Sequence, residues 1–115
     1  MRAETSQPIH EVLATRRSPR SLNPQVPLTD EDLIAILEAA RWAPSAFNNQ
    51  PWRFFVGRNV DELFSKTLST LVPFNQSWAK SAAALITVAA KTTKDDGSVN
   101  ADYQYHCGLA VAQMV

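Results

Sequence analysis

The sequence has few glycines: Gly57, Gly97 and Gly108 are the only three among 115 residues. Their spacing excludes the G-x-G-x-x-G turn of dinucleotide-binding folds and the glycine-rich loop of P-loop proteins. A G-x-S-x-G stretch, which holds the serine nucleophile of many hydrolases, is also missing. The sequence therefore contains neither common glycine-built phosphate cradle nor this kind of serine nucleophile.

Cysteine is nearly absent, since Cys107 is the sole thiol. One cysteine cannot close an internal disulfide, so nothing predicts a secreted disulfide scaffold. His10 and His106 are far apart, and neither belongs to a cluster with metal-ligand spacing. His106 and Cys107 are neighbours, but adjacent helical residues point in different directions, which favours a buried thiol over a catalytic dyad. With no protein nucleophile or acid–base pair and no metal site, any catalysis would depend on a cofactor with its own reactivity.

Neither the net charge nor the hydropathy of the chain indicates binding to nucleic acid or to a membrane. Eleven basic residues balance eleven acidic ones, so no bulk field attracts the protein to an anionic surface. The first eleven residues lack the apolar core of a signal peptide. The most apolar run, residues 82–90, is too short to span a bilayer. We therefore expect a cytoplasmic protein without a nucleic-acid or membrane partner.

The hydrophobic periodicity predicts elements in the order α-α-β-α-β-α. Helices are predicted over residues 8–15, 29–42, 60–71 and from about 100 onward, with strands over residues 52–57 and 83–90. Residues 74–80 are expected to form a turn or short helix, and both strands are expected to be buried. This order predicts an α+β fold (or α/β layer) with helices covering a central sheet, in which residues 1–115 form a single domain.

The last predicted helix, residues 103–115, is apolar and lacks a capping glycine, a basic last turn and a polar tail. We therefore expect the domain to be truncated, with its C-terminal part missing, or the chain to be the N-terminal part of a longer protein.

A basic segment follows the first predicted helix: Arg16, Arg17, Ser18 and Arg20. Guanidinium groups bind phosphate bidentately, and a neighbouring hydroxyl adds a further donor. The alternative is that these cations are solvated and complement the dipole of the preceding helix. An RNA-contact patch is a third possibility, although no aromatic platform for stacking surrounds it.

A polar loop between Pro44 and Trp52 separates the second helix from the first strand, and it offers one hydroxyl and several amides. As an ordinary connection, its Ser45 and Asn48 would satisfy the local backbone and Trp52 would be a core residue. Further along, Asn75 is expected in a turn, where asparagine usually bonds its own backbone.

The order of these segments resembles the nitroreductase family of FMN-dependent oxidoreductases, over residues 11–115. The resemblance rests on R-R-S-x-R at residues 16–20, an acid-capped helix and P-S-x-x-N-x-Q-P-W at residues 44–52. It also rests on F-N-x-x-W at residues 74–78 and Y-x-x-G-x-A at residues 105–110. It implies an enzyme that uses NAD(P)H to reduce FMN, and the flavin to reduce a small electron acceptor such as a nitroaromatic or quinone.

The resemblance also implies flavin contacts in a homodimer with shared sites. Arg16 and Ser18 would contact the FMN phosphate and ribityl chain, with Arg17 beside them and Arg20 near the pyrimidine edge. Asn75 would hydrogen-bond the isoalloxazine edge. Four residues of the polar loop would pack on the flavin from the partner subunit: Pro44, Ser45, Ala46 and Asn48.

Two departures from the family pattern leave an alternative open. Family members are typically longer, and many carry an acidic residue where His106 stands. The alternative is a non-catalytic truncated remnant or dimerisation module that binds no cofactor.

Overall fold

A computed structural model describes residues 2–115. Its elements follow one another as α1 (Glu11–Thr15), α2 (Asp30–Arg41), a short 3-10 helix (Ala46–Asn48), β1 (Trp52–Arg58), α3 (Glu62–Ser69), α4 (Pro73–Ala79), β2 (Ala84–Ala90) and α5 (Tyr103–Met114). The predicted order is confirmed, and the short helical segment after α3 is a true helix, α4. The first and last helices begin about three residues later than their sequence patterns predict.

A capping box starts α2 at the predicted residue. The Thr29 hydroxyl accepts a hydrogen bond from the Asp32 N–H (3.0 Å), and the Asp32 carboxylate accepts one from the Thr29 N–H (3.4 Å). These two bonds satisfy backbone donors that the first helical turn leaves without partners. The predicted buried stripe of α2 is only partly correct, because Ile34 is 65% exposed whereas Ala40 is fully buried.

The two strands form an antiparallel pair in which Trp52 lies opposite Ala90 and Gly57 opposite Leu85. Helix α3 packs against both strands, α5 contacts both, and α2 packs on α5. Helices thus cover a sheet, and the predicted α+β class is confirmed. The prediction that both strands are buried is wrong: no residue of β2 is fully buried, residues 87–89 are exposed, and so are Arg53 and Phe55 of β1. Within the described residues each strand has one neighbouring strand, and an open groove lies between Val88 and α5.

A small core joins α2, β1 and α5, and it lies directly behind the polar loop. Its buried members are Ala40, Ala43, Trp52 and Ala110. The three alanines let the two helices approach closely, and Trp52 fills the space between the helices and the sheet. Pro51 is also fully buried. Both ends of the loop, at residues 43 and 51–52, are therefore fixed by packing.

Candidate functional site

The basic segment begins at the C-cap of α1, where Arg16 turns its side chain forward along the chain. Its Nη1 donates to the Ser18 hydroxyl (3.2 Å) and to the Arg17 carbonyl (3.3 Å). All three residues are exposed. The side-chain bonds of Arg16 go to these neighbours, whereas its backbone N–H donates to the Val12 carbonyl of α1, so a cation and a hydroxyl lie side by side at the surface. Such a pair is suited to a phosphate.

The Arg20 side chain extends from the basic segment to α4. Its guanidinium carbon lies 5.5 Å from the centroid of the Phe74 ring, within the range of a cation–π contact. Phe74 precedes Asn75 in α4, so the structure brings Arg20 to the element that carries Asn75. These two residues were predicted to bind neighbouring parts of one ligand from segments far apart in the sequence.

Asn75 lies in the first turn of helix α4, so of the turn and the short helix expected for residues 74–80 the structure contains the helix. Its side-chain oxygen accepts a hydrogen bond from the Trp78 indole N–H (3.3 Å). This bond spans one helical turn, because residues three apart share a face of a helix. It orients the side chain, and the amide NH₂ of Asn75 makes no hydrogen bond to any of residues 2–115.

The polar loop has a strained backbone. Phe47, Asn48 and Gln50 have positive φ angles of 53°, 54° and 41°. Residues other than glycine rarely adopt this left-handed region, and a bulky residue such as Phe47 does so at a cost in energy. Its side chain is also 93% exposed. Backbone strain of this kind concentrates at ligand-binding sites.

Local hydrogen bonds hold the loop in this shape. The Ser45 hydroxyl accepts from the Gln50 N–H (3.0 Å), and the Gln50 amide donates to the Asn48 side-chain oxygen (2.7 Å). Ser45 therefore satisfies a local backbone donor, as an ordinary connection predicts, whereas Asn48 bonds a neighbouring side chain. Pro44, Ala46 and Asn48 are exposed, and Ser45 is half-buried. The bonds of Arg16 and Ser18 and the ring contact of Arg20 all lie outside this loop.

His106 is a residue of this region that sequence reasoning missed. It lies on α5, is 6% exposed, and its Nε2 accepts a hydrogen bond from the Ala46 N–H (3.2 Å). Sixty positions separate the two residues, so no local spacing could reveal the contact. The only available signal was that a histidine occupies the position where an acidic residue is common.

Arg53 and Cys107 lie beside the end of the loop. The Arg53 guanidinium donates to the carbonyls of Gln50 (3.0 Å) and Trp52 (2.7 Å). Burial raises the pKa of the Cys107 thiol, and the positive charge of Arg53 partly offsets this rise. Cys107 is half-buried, not fully buried as expected, and packs against the core. A raised pKa leaves less of the reactive thiolate, which fits a packing role.

Residues 2–115 contain no group of three or more His, Cys, Asp or Glu side chains placed to hold a metal ion. Among the described helices, none combines the length and the apolar character needed to cross a bilayer.

Comparison with known proteins decides the family. Residues 13–115 match the family model described as Nitroreductase family. The chain belongs to the nitroreductase family. The predicted resemblance is thereby confirmed, and the match includes both the basic segment and the polar loop.

Individual members of the nitroreductase family support this assignment. The chain is 39% identical over 94 residues to YdgI of Bacillus subtilis strain 168, named as a candidate NAD(P)H nitroreductase; this covers 81% of the chain and 41% of YdgI. It is 31% identical over 96 residues to the major NAD(P)H-flavin oxidoreductase of Aliivibrio fischeri, covering 80% of the chain and 44% of that protein.

A solved structure titled as an oxidoreductase containing FMN matches the fold with a TM-score of 0.89 and 32% identity. This match covers 97% of the chain and 58% of that structure. The chain thus spans less than two thirds of the length of each of these three relatives.

Proposed function

We propose that this chain belongs to an FMN-dependent oxidoreductase that takes reducing equivalents from NAD(P)H and passes them to a small electron acceptor such as a nitroaromatic or quinone. The observation that carries the proposal is the match to the nitroreductase family over residues 13–115, which includes every predicted flavin contact. The similar proteins are named for NAD(P)H and flavin, and the similar structure for FMN. Since the chain spans only part of their length, the activity of the whole protein is part of the proposal.

The donors of the basic segment fit the phosphate end of FMN. Arg16 and Ser18 are already joined by a hydrogen bond, and Arg17 is exposed between them. A phosphate dianion accepts several charge-assisted bonds, and guanidinium groups supply them in a planar, bidentate arrangement. In this proposal Arg16 and Ser18 hold the phosphate and ribityl chain, and Arg17 flanks them.

Arg20 and Asn75 fit the polar edge of the flavin ring. The Arg20 guanidinium lies over the Phe74 ring, and the Asn75 NH₂ has no hydrogen bond within residues 2–115. When bound, FMN supplies the redox chemistry, and the protein supplies binding and orientation. A cation near the pyrimidine edge stabilises negative charge on the reduced ring, and an amide donor fixes the orientation of a ring carbonyl.

The polar loop is proposed to pack on the flavin of a partner subunit in a homodimer. The residues concerned lie together in this loop, apart from the basic segment: Pro44, Ser45, Ala46 and Asn48. A strained, exposed loop whose two ends are fixed in a core is suited to present a defined surface to a second molecule. Residues 1–115 would then be one nitroreductase-like domain or its N-terminal part.

The proposal is tested first by the visible absorption spectrum of the purified protein and by identifying any flavin released on heating. Stripped protein is then titrated with FMN, and the double variant Arg16→Ala/Arg20→Ala is compared with Arg41→Ala. Arg41 is a matched control because it is an exposed arginine that pairs with Glu38 on α2. We expect the double variant to bind FMN about tenfold or more weakly, because bonds to a charged group contribute about 1.5–3 kcal/mol each.

Oxidation of NADH and of NADPH is then measured with a nitroaromatic and with a quinone. FMN affinity that is unchanged in the double variant would show that the site assignment is wrong. Colourless protein that also takes up no added FMN would contradict the enzyme proposal. In that case size-exclusion chromatography would test the alternative of a dimerisation module without cofactor.

A further inference from the structure

His106 is a buried polar residue whose one side-chain hydrogen bond within residues 2–115 goes to the polar loop. Its Nε2 accepts from the Ala46 N–H at 3.2 Å, and the residue is 6% exposed. Ala46 is the first residue of the short 3-10 helix in the loop. This hydrogen bond connects helix α5 to a loop with a strained backbone.

The bond also decides which ring nitrogen carries the proton. Because Nε2 accepts a hydrogen bond, the neutral imidazole carries its proton on Nδ1. Nδ1 is buried and has no hydrogen-bond partner within residues 2–115. A buried donor without an acceptor costs stability, so an apolar side chain at this position would pack with less penalty. Packing alone therefore does not account for a histidine here.

The strained backbone of the loop explains why the hydrogen bond from Ala46 to His106 matters. The two residues that follow it, Phe47 and Asn48, both have left-handed backbones. The bonds from Gln50 to Ser45 and to Asn48 lie within the loop itself, as do the backbone bonds from the Asn48 and Asn49 N–H groups to the Ser45 and Ala46 carbonyls. Arg53 on β1 binds the Gln50 carbonyl at the far end of the loop. The bond from Ala46 to His106 instead connects the strained part of the loop to the core helix. Without it, only hydrogen bonds within the loop hold the peptide at residue 46, so the left-handed residues relax more readily.

We propose that His106 is a positioning residue, which holds Ala46 and the left-handed residues after it in the conformation that contacts FMN. The inference rests on the proposed function, because it assigns the loop to a flavin site. His106 itself is behind the loop and acts through Ala46. The required property is a hydrogen-bond acceptor at the place of Nε2.

Three substitutions of His106 distinguish the effect of the hydrogen-bond acceptor from the effect of side-chain shape. His106→Gln places an amide oxygen near the position of Nε2 and keeps the acceptor. His106→Leu fills similar space and has no acceptor. His106→Asn is polar, but its side chain ends near the position of Nδ1 and is too short to reach Ala46. It replaces the leucine variant if that variant does not fold.

The first measurement is hydrogen exchange at the Ala46 amide, followed by NMR without added flavin. We expect exchange about threefold to tenfold faster in His106→Leu and His106→Asn than in the unmodified protein, with near-normal exchange in His106→Gln. Unchanged exchange in the leucine and asparagine variants would overturn the proposal. This measurement stands even if the protein binds no FMN, a result that would count against the proposed function only.

The second measurement compares FMN affinity with thermal stability. Loss of one hydrogen bond predicts about threefold to tenfold weaker FMN binding in His106→Leu, with recovery in His106→Gln. Tm should be equal or higher in His106→Leu, since the unpaired buried donor is removed. A leucine variant that binds FMN normally would overturn the proposal. Equal losses of affinity in the leucine and glutamine variants, together with a lower Tm, would also overturn it by showing that shape and not the acceptor matters.

Discussion

Arg20 stacks on Phe74, with the guanidinium carbon 5.5 Å from the ring centroid. Both side chains remain largely exposed, so the contact orients the cation without neutralising it. It connects the basic segment with α4 and thereby with Asn75. The contact therefore brings Arg20 to the helix that carries Asn75, so two residues proposed to bind the flavin ring come together from separate segments.

Replacing Phe74 by leucine should weaken FMN binding by about twofold to fivefold. An exposed cation–π contact contributes about 0.5–1 kcal/mol, and without it Arg20 samples more orientations. Fluorescence titration with FMN measures the effect. Phe55→Leu is the control, because Phe55 is a half-exposed phenylalanine on β1 (52% exposed). Equal losses in both variants would show that the ring beneath Arg20 has no special effect.

Gly57→Ala should lower the free energy of unfolding by about 1–3 kcal/mol, the usual cost of overpacking. A methyl group on Gly57 would clash with the backbone nitrogen of Phe64, so β1 and α3 would have to separate. Gly108→Ala is the control, since a methyl group there meets nothing within 4 Å. The control should gain up to about 1 kcal/mol from helix propensity. Urea unfolding checks both, and an alanine at residue 57 without cost would contradict the close approach.

Thr29→Ala should destabilise the protein by about 1 kcal/mol, because the capping box of α2 loses the hydroxyl that accepts from the Asp32 N–H. Thr29→Ser keeps that hydroxyl and should remain within a few tenths of a kcal/mol of the unmodified protein. Urea unfolding of both variants makes the comparison. If the serine variant lost as much stability as the alanine variant, the hydroxyl could not be the cause.

Cys107 should react slowly with iodoacetamide. Burial raises the pKa of its thiol, so at a given pH less thiolate is present than in the unfolded chain. In the folded protein the alkylation rate should still rise at pH values where the rate of the urea-unfolded chain no longer increases. Arg53→Gln removes the positive charge that lowers this pKa, so it should slow alkylation further. Arg41→Gln should leave the rate unchanged, and faster alkylation in Arg53→Gln would contradict the assigned cause.

Much of the fold could be predicted because its signals are local. The cap at Thr29, the stop before Pro44 and the apolar run after Pro51 each depend on residues within a turn or two. The exposed part of β2 could not be predicted, because an apolar strand looks the same whether or not a helix covers it. The local pattern also could not decide between a turn and a short helix at Asn75, since Pro73 can end one helix and begin the next.

The amino-acid sequence by itself determined the order of the elements and the start of α2, because caps and periodicity depend on neighbouring residues. It also determined the family, through the resemblance of its motifs to known members. The tertiary structure alone decided that Ala46 bonds to His106 and that Arg20 lies over Phe74. Each of these contacts joins segments far apart in the chain. Such contacts form only after helices and sheet have packed together, and no pattern in one segment specifies which distant side chain that packing brings to it.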